Sequence, residues 1–207
     1  MRRRAAAILM FLFALGAPAW AEKATDPLDP VLVRIENLAS GVQTLESDFV
    51  QEKHLAVFQE VLLSRGRFYY AREDRLRWEL LTPVQSGFVL NGQSGRRWHS
   101  RTGDSESFDL NSDPVMKIVA GQLLAWTRAD FPALRREYRI VLLDEAPVRL
   151  RLEPTTAAAG FLEYLQIVFS TDGRHVQVVE IHEKDGDFTR IRFENTQVNT
   201  TLAKDLF

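Results

Sequence analysis

The fold turns on residues 65–83, RGRFYYAREDRLRWELLTP. Period-two alternation on both sides of a polar turn predicts a β-hairpin. Phe68, Tyr70 and Arg72 share one face of the first strand, and Leu76, Trp78 and Leu80 share one face of the second. Arg67, Arg75, Arg77 and Glu79 take the other side. With Asp74 at the tip, a three-residue loop pairs Arg72 with Leu76, Tyr70 with Trp78 and Phe68 with Leu80, so the bulky row runs unbroken across both strands. Such a row is either protein core or the wall of a space for something that is not protein.

The alternation continues in both directions. Upstream, LESDFVQEKH (45–54) and AVFQEVLL (56–63) are strand-like; downstream, SGFVLNG (86–92) leads through the turn cluster NGQSG (91–95) into RRWHS. Strands resume at YRIVLLD, VRLRLEP, LEYLQIVFS, HVQVVEIHE and FTRIRFENTQV, with turns at Ala146-Pro147, at Thr171-Asp172-Gly173 and over residues 184–187. Two stretches break the pattern. After the linker EKATDPLDP, Asp29 as N-cap and Pro30 at the first helical position open a helix with Val31, Ile35, Leu38 and Val42 in one stripe. Asp113-Pro114 repeats that start, followed by Val115, Ile118, Val119 and Leu123, and TRADFPALRREY (127–138) reads as a loop with a short helical turn.

The inventory is therefore ten or eleven short antiparallel strands and two helices. It has no repeat and no internal linker, which predicts one domain over residues 22–207. On the last strand Arg190, Arg192 and Glu194 oppose Thr189, Ile191 and Phe193, so one face of the sheet is wet and the other has to be covered. The expected fold class is mainly β, a strongly curled sheet wrapped over short helices.

The first 21 residues stand apart. MRRRAAAILMFLFALGAPAWA has a basic start, an apolar run from Ala5 to Leu15 too short to span a bilayer, and Ala19-Trp20-Ala21 before the expected cut: a secretory signal peptide. Its removal takes three of the 26 basic residues and leaves 23 against 28 acids, a net charge of −5. Without a clustered basic patch, no nucleic-acid partner is expected. The chain has no cysteine, which excludes disulfides, thiol catalysis, thiolate metal sites and lipid attachment through an N-terminal cysteine. An exported chain of this size is then held by packing alone.

Motifs of catalysis fail on spacing. Ser94 in NGQSG is followed directly by glycine and sits in a hairpin, whereas a nucleophile elbow needs glycine two residues to either side. His54, His99, His175 and His182 include no pair at metal-ligand spacing, and no phosphate-binding glycine loop is present. The carboxylates alternate outward or fall in turns. No enzyme, metal or cofactor is expected.

What remains is the apolar row. If neighbouring strands keep register, Phe49, Val57, Phe88, Leu90 and Trp98 extend Phe68, Tyr70, Leu76, Trp78 and Leu80, and the second helix turns Met116, Ile118, Val119 and Leu123 toward it. Two short helices have many strands to cover, so a gap between sheet and helices is expected, lined by these residues as a ligand-binding surface. Arg72, at the end of the row, needs hydrogen-bond partners if buried. A guanidinium bonded to helix-loop carbonyls would latch such a lid shut.

These residues carry a resemblance. LESDFVQEK after a first helix, a glycine before RFYYAR, then LRWELLTP, LNG and a tryptophan, and FENTQVNTTLAKDLF at the end, resemble the LolA family of periplasmic outer-membrane lipoprotein carriers over nearly the whole mature chain. The resemblance implies an unclosed β-barrel with a helical lid over an apolar cavity. It implies a monomer that accepts lipoprotein acyl chains at an inner-membrane release complex and passes them to an outer-membrane receptor. Arg72 falls where the family has its lid-closing arginine, Leu76 where it has an apolar cavity residue, and Trp78 on the family tryptophan. Two features depart from the pattern: Glu73 stands where proline commonly follows the arginine, and the chain stops at Phe207, where the best-known carriers continue. The related receptor LolB is itself a lipoprotein, against which the lack of cysteine argues.

Three rival readings stand beside this one. The same fold carries other acylated molecules, glycolipid or polyene-type lipid among them. Related half-barrels act as lipid-binding sensors, normally with a second domain that this length does not allow. A hydrolase of envelope material would need a polar pair facing the cavity, and the row shows one arginine among apolar groups.

Overall fold

A computed structural model describes residues 27–57 and 60–207; the expected signal peptide lies outside the described residues. Eleven strands form one antiparallel sheet: β1 (Thr44–His54), β2 (Val61–Ala71), β3 (Arg75–Thr82), β4 (Ser86–Asn91), β5 (Ser94–His99), β6 (Asp104–Asp109), β7 (Tyr138–Glu145), β8 (Val148–Pro154), β9 (Leu162–Phe169), β10 (Val176–Glu183) and β11 (Phe188–Val198). Three α-helices accompany them: α1 (Leu28–Ser40), α2 (Pro114–Arg128) and α3 (Phe131–Glu137). Among the described residues no helix is long and apolar enough to cross a membrane.

The strand order is β6-β5-β4-β3-β2-β1-β11-β10-β9-β8-β7. Strands that neighbour one another are consecutive in the chain except at the centre, where β1 pairs with β11, Phe49 facing Phe193 and Gln51 facing Ile191. β6 and β7 are left as the two open edges, so the barrel does not close. The chain between them, α2 and α3, has to run across the concave face. Register shifts in β1–β11 after Glu46 and in β2–β3 after Arg65 mark bulges, which bend and twist a sheet.

Apolar residues on the concave face form two cores. One joins Val31, Leu32, Ile35 and Ala39 of α1 and Phe131 and Leu134 of α3 to β7–β10, with Leu150, Leu152, Ile167 and Val179 at its centre. The other joins Met116 and Ala120 of α2 to Phe49, Phe68, Leu76, Leu90 and Phe108 of β1–β6. Leu123 and Phe193 pack against both. A residue of α2 can reach both halves of an eleven-stranded sheet only because the sheet is curled around the helix.

The convex face is charged. Glu180 accepts from Arg190 Nε at 2.7 Å, and Glu52 stands 3.5 Å from both Arg190 and Arg192. Burial pushes the Glu180 carboxyl up, but hydrogen bonds from Arg190 and His182 outweigh it and hold the group below the usual carboxylate range.

Helix starts differ in how closely they match expectation. Asp113 caps α2 as expected, its carboxylate accepting from Met116 N at 3.0 Å, with Pro114 at the first position. Asp29 does not cap α1. The helix starts at Leu28 after Pro27, without a side-chain cap, and the Asp29 carboxylate instead pairs with Arg135 of α3. The expected loop at 127–138 holds α3, capped by Asp130 through Ala133 N at 2.9 Å.

The β9–β10 turn packs against α1 and contains His175, whose backbone carbonyl accepts from Ser170 N at 2.8 Å. Burial holds its imidazole below the usual histidine range, outweighing the pull of Asp172. The folded protein therefore binds fewer protons here than the unfolded chain, and this stability is present above about pH 6.5 and lost as pH falls through the depressed folded value. Denaturant unfolding at pH 7.5 and 5.5 is expected to show a drop in stability for the parent that is smaller in His175→Gln; equal drops would remove His175 as the cause.

Candidate functional site

The concave face under α2 is built from alternate residues of six consecutive strands. Tyr70 faces Leu76, Phe68 faces Trp78 and Gly66 faces Leu80. The hairpin register is thus two residues off that expected from Asp74 at the tip. Ala71 pairs with Arg75, so the three-residue loop is Arg72-Glu73-Asp74, with Glu73 and Asp74 at φ of 68° and 61°. Proline's ring fixes φ near −65°, so the glutamate at 73 suits this loop and proline does not.

Four aromatic rings meet on this face. Phe49 stacks on Trp78 at 4.0 Å between centroids, and Phe193 lies 6.3 Å from Phe49, 5.7 Å from Phe68 and 6.3 Å from Trp78. Phe49 is on β1 and Trp78 on β3, and Gly66 of β2 lies between them. A methyl group there would run into the Phe49 ring and the Glu79 carbonyl oxygen. Glycine is what lets the two rings touch across a strand.

The expected site residues divide in the structure. Phe49, Phe68, Tyr70, Leu76, Phe88 and Leu90 are buried on the concave face, Trp78 and Leu80 lie partly buried beside them, and Met116 and Leu123 of α2 face them. Four others do not join. Val57 is 83% exposed in the turn after β1, because the strand stops at His54. Trp98 faces Gly87 and so lies on the convex side, under the Arg77 guanidinium at 5.0 Å. The two-residue turn Gly92-Gln93 pairs Phe88 with Arg97, which exchanges the faces of odd and even residues. Ile118, 66% exposed, and Val119 lie on the outer side of α2, whose inward stripe is Met116, Ala120, Leu123 and Thr127.

Polar contacts fasten the ends of α2. At its start, Asp113 accepts from Arg97 Nη1 at 3.1 Å, while Arg97 also binds Glu106 of β6 at 2.8 Å. At its end, Arg128 pairs with Asp74 of the hairpin loop. The same loop holds the end of α1. Arg72 is exposed, not buried in the row, and its guanidinium donates to the Ser40 carbonyl and, through Nε at 3.2 Å, to the Val42 carbonyl. Arg97 and Arg128 were not among the expected site residues; Asp74 was expected only as the hairpin tip and Phe193 only on the inner face of the last strand. Its alternation was visible, but nothing local places β11 beside β1.

Between sheet and helix the space is nearly closed. A void of about 20 Å³, room for about one water, is lined by Leu45, Phe68, Leu123, Trp126, Val179 and Phe193 among others. Wider clefts open at the two ends of α2. One of about 440 Å³ lies among Ser40, Tyr70, Arg72, Glu73 and Arg128. The other, about 430 Å³, lies among Trp78, Leu80, Phe88, Arg97 and Met116, and Trp98 borders it from its place on the convex side.

Gly66→Ala is expected to destabilise the protein by about 1–3 kcal/mol through overpacking of the Phe49–Trp78 contact. Denaturant unfolding measures it; a change under 0.5 kcal/mol, roughly the surface range, would show that the rings separate freely.

Comparison with known proteins agrees with this architecture. A chain of the Pseudomonas aeruginosa MucA/MucB complex has the same fold at a TM-score of 0.53 and 14% identity, over 85% of this chain and 58% of that one. An uncharacterised conserved protein from Thermus thermophilus gives 0.51 at 10% identity, over 86% and 96%. A relative in Methylococcus capsulatus, named an outer-membrane lipoprotein carrier protein, is 24% identical over 184 residues, 84% of this chain and 80% of its own. The family model of the outer membrane lipoprotein carrier protein LolA matches residues 40–207, from the end of α1 to the last residue. The chain belongs to the LolA family.

Proposed function

We propose that this protein is a periplasmic carrier. It takes acyl chains of lipoproteins between the concave face and α2 and moves them from the inner membrane to the outer. One observation carries this reading: the concave face is apolar and aromatic, and the helix lying across it is fastened by polar contacts at its ends. The family match and the carrier relative support the same assignment. On this reading the protein is exported by a signal peptide cut after Ala21. It acts as a carrier and not an enzyme, and its partners are an inner-membrane release complex and an outer-membrane receptor.

Loading requires α2 to leave the sheet, since the closed void cannot house a chain. Burial of acyl surface yields about 0.8 kcal/mol per methylene, so ten methylenes give roughly 8 kcal/mol. Half-exposed ion pairs such as Arg128–Asp74 are worth about 1 kcal/mol each. Cargo therefore outweighs the fastenings, while an empty carrier stays shut. Arg72 latches the end of α1 and Asp74 the end of α2 from one three-residue loop.

Mature protein added to spheroplasts carrying labelled, newly made lipoproteins is expected to bring lipoprotein into the soluble fraction. No release, with an active carrier alongside, would transfer the reading to another acylated envelope molecule. Arg72→Leu and Asp74→Asn are expected to fold like the parent, within about 1 kcal/mol, and to change the rate at which loaded lipoprotein passes to acceptor membranes. Parental transfer rates in both variants would end the latch assignment.

A further inference from the structure

Trp126 is the group in the closed void that the fold leaves unused. It is only 9% exposed and lines the void, yet its indole Nε1 is buried without a hydrogen-bond partner. Buried donors are paired in the great majority of cases, and one that is not needs an explanation. The other polar groups in the wall are occupied. Thr127 Oγ1 donates to the Leu123 carbonyl at 2.7 Å. Thr196 Oγ1 lies 2.8 Å from Ser47 Oγ, which has its own acceptors in the Glu194 and Asp48 carbonyls. With Ser47 donating to a carbonyl, the Thr196 proton goes to Ser47. The remaining wall is hydrocarbon and aromatic ring: Leu45, Phe68, Leu123, Val176, Val179 and Phe193. The void also sits on the seam between the two cores, which Leu123 and Phe193 share, so it is where space opens when α2 lifts.

Resting on the carrier reading, we propose that Trp126 Nε1–H donates to a carbonyl oxygen of the cargo, so that the site prefers acyl esters and amides over alkyl chains of equal length. A carbonyl accepts and has no proton to place, which suits a wall with one spare donor and no spare acceptor demand. An indole N–H has no acceptor capacity, so the contact serves an acceptor oxygen set where the cargo carbonyl stands and gives nothing to a bare alkyl segment. The apolar wall supplies affinity for any chain, and this single bond discriminates among chains.

The test compares 1-monopalmitoylglycerol with 1-O-hexadecylglycerol, which differ in the carbonyl. Each displaces bound N-phenyl-1-naphthylamine from the parent protein and from Trp126→Phe, which keeps a ring and removes the donor. The expected result is that the ester binds the parent about three- to tenfold more tightly than the ether, as one neutral hydrogen bond allows. In Trp126→Phe the ester is expected to fall to the level of the ether, with ether binding little changed. In ¹⁵N–¹H spectra of the parent, the Trp126 indole signal is expected to move downfield with the ester and not with the ether. That readout stands even if the variant folds poorly. Equal binding of ester and ether by the parent, or the same indole shift with both, overturns the proposal and leaves the carrier reading intact. Displacement by neither lipid overturns the carrier reading itself.

Discussion

The pairing of β1 with β11 is the contact on which everything else depends. It joins the first strand to the last, at a sequence separation of well over a hundred residues, and fuses two meanders into one sheet of eleven strands. It also sends β6 and β7 to opposite edges. Those two strands are consecutive in the chain, so the segment between them must cross the concave face. A helix of 15 residues is about 22 Å long, enough to cross a curled sheet and not enough to fill it. The lid is thus a consequence of strand order and needs no separate device.

Crossing in this way gives α2 an unusual balance of contacts. Its ends carry the polar fastenings, Asp113 to Arg97 and Arg128 to Asp74, and its middle presents Met116, Ala120 and Leu123 to an aromatic floor. An apolar middle is indifferent to whether its partner is a ring of the sheet or a methylene of a ligand. Exposed polar ends are weak and reversible. On the carrier reading, acyl chains would replace these contacts, starting where Leu123 and Phe193 join the two cores.

The hairpin loop at 72–74 links this lid to the sheet at a second level. Arg72 reaches α1 and Asp74 reaches α2, so two residues of one three-residue turn, in which Glu73 and Asp74 have positive φ, hold both helices. Meanwhile the Arg190, Glu180 and Glu52 network sets charge along the middle of the convex face.

Much of this was legible in the chain itself. Period-two alternation marked most of the strands and, in most of them, the face that carries large apolar groups, because these depend on residues two positions apart. The inward placement of Phe68, Tyr70, Leu76 and Trp78 followed from the same rule. Register did not. A two-residue turn at Gly92-Gln93 put Trp98 outside and Arg97 inside, and the helix stripe ran through Ala120 and not through Ile118. Both outcomes hang on a shift of one residue, which local preference scarcely distinguishes and packing decides. Long-range partners were equally hidden: Phe193 beside Phe49, Asp74 beside Arg128, and the unpaired indole of Trp126. The sequence by itself determined which residues prefer burial and most of the strands; β6 (Asp104–Asp109) was not among those read, and residues 61–71, read as parts of two strands, form the single β2. Only the tertiary structure decided which of them share a space, because that depends on the β1–β11 pairing and on where the helix between the open edges comes to rest.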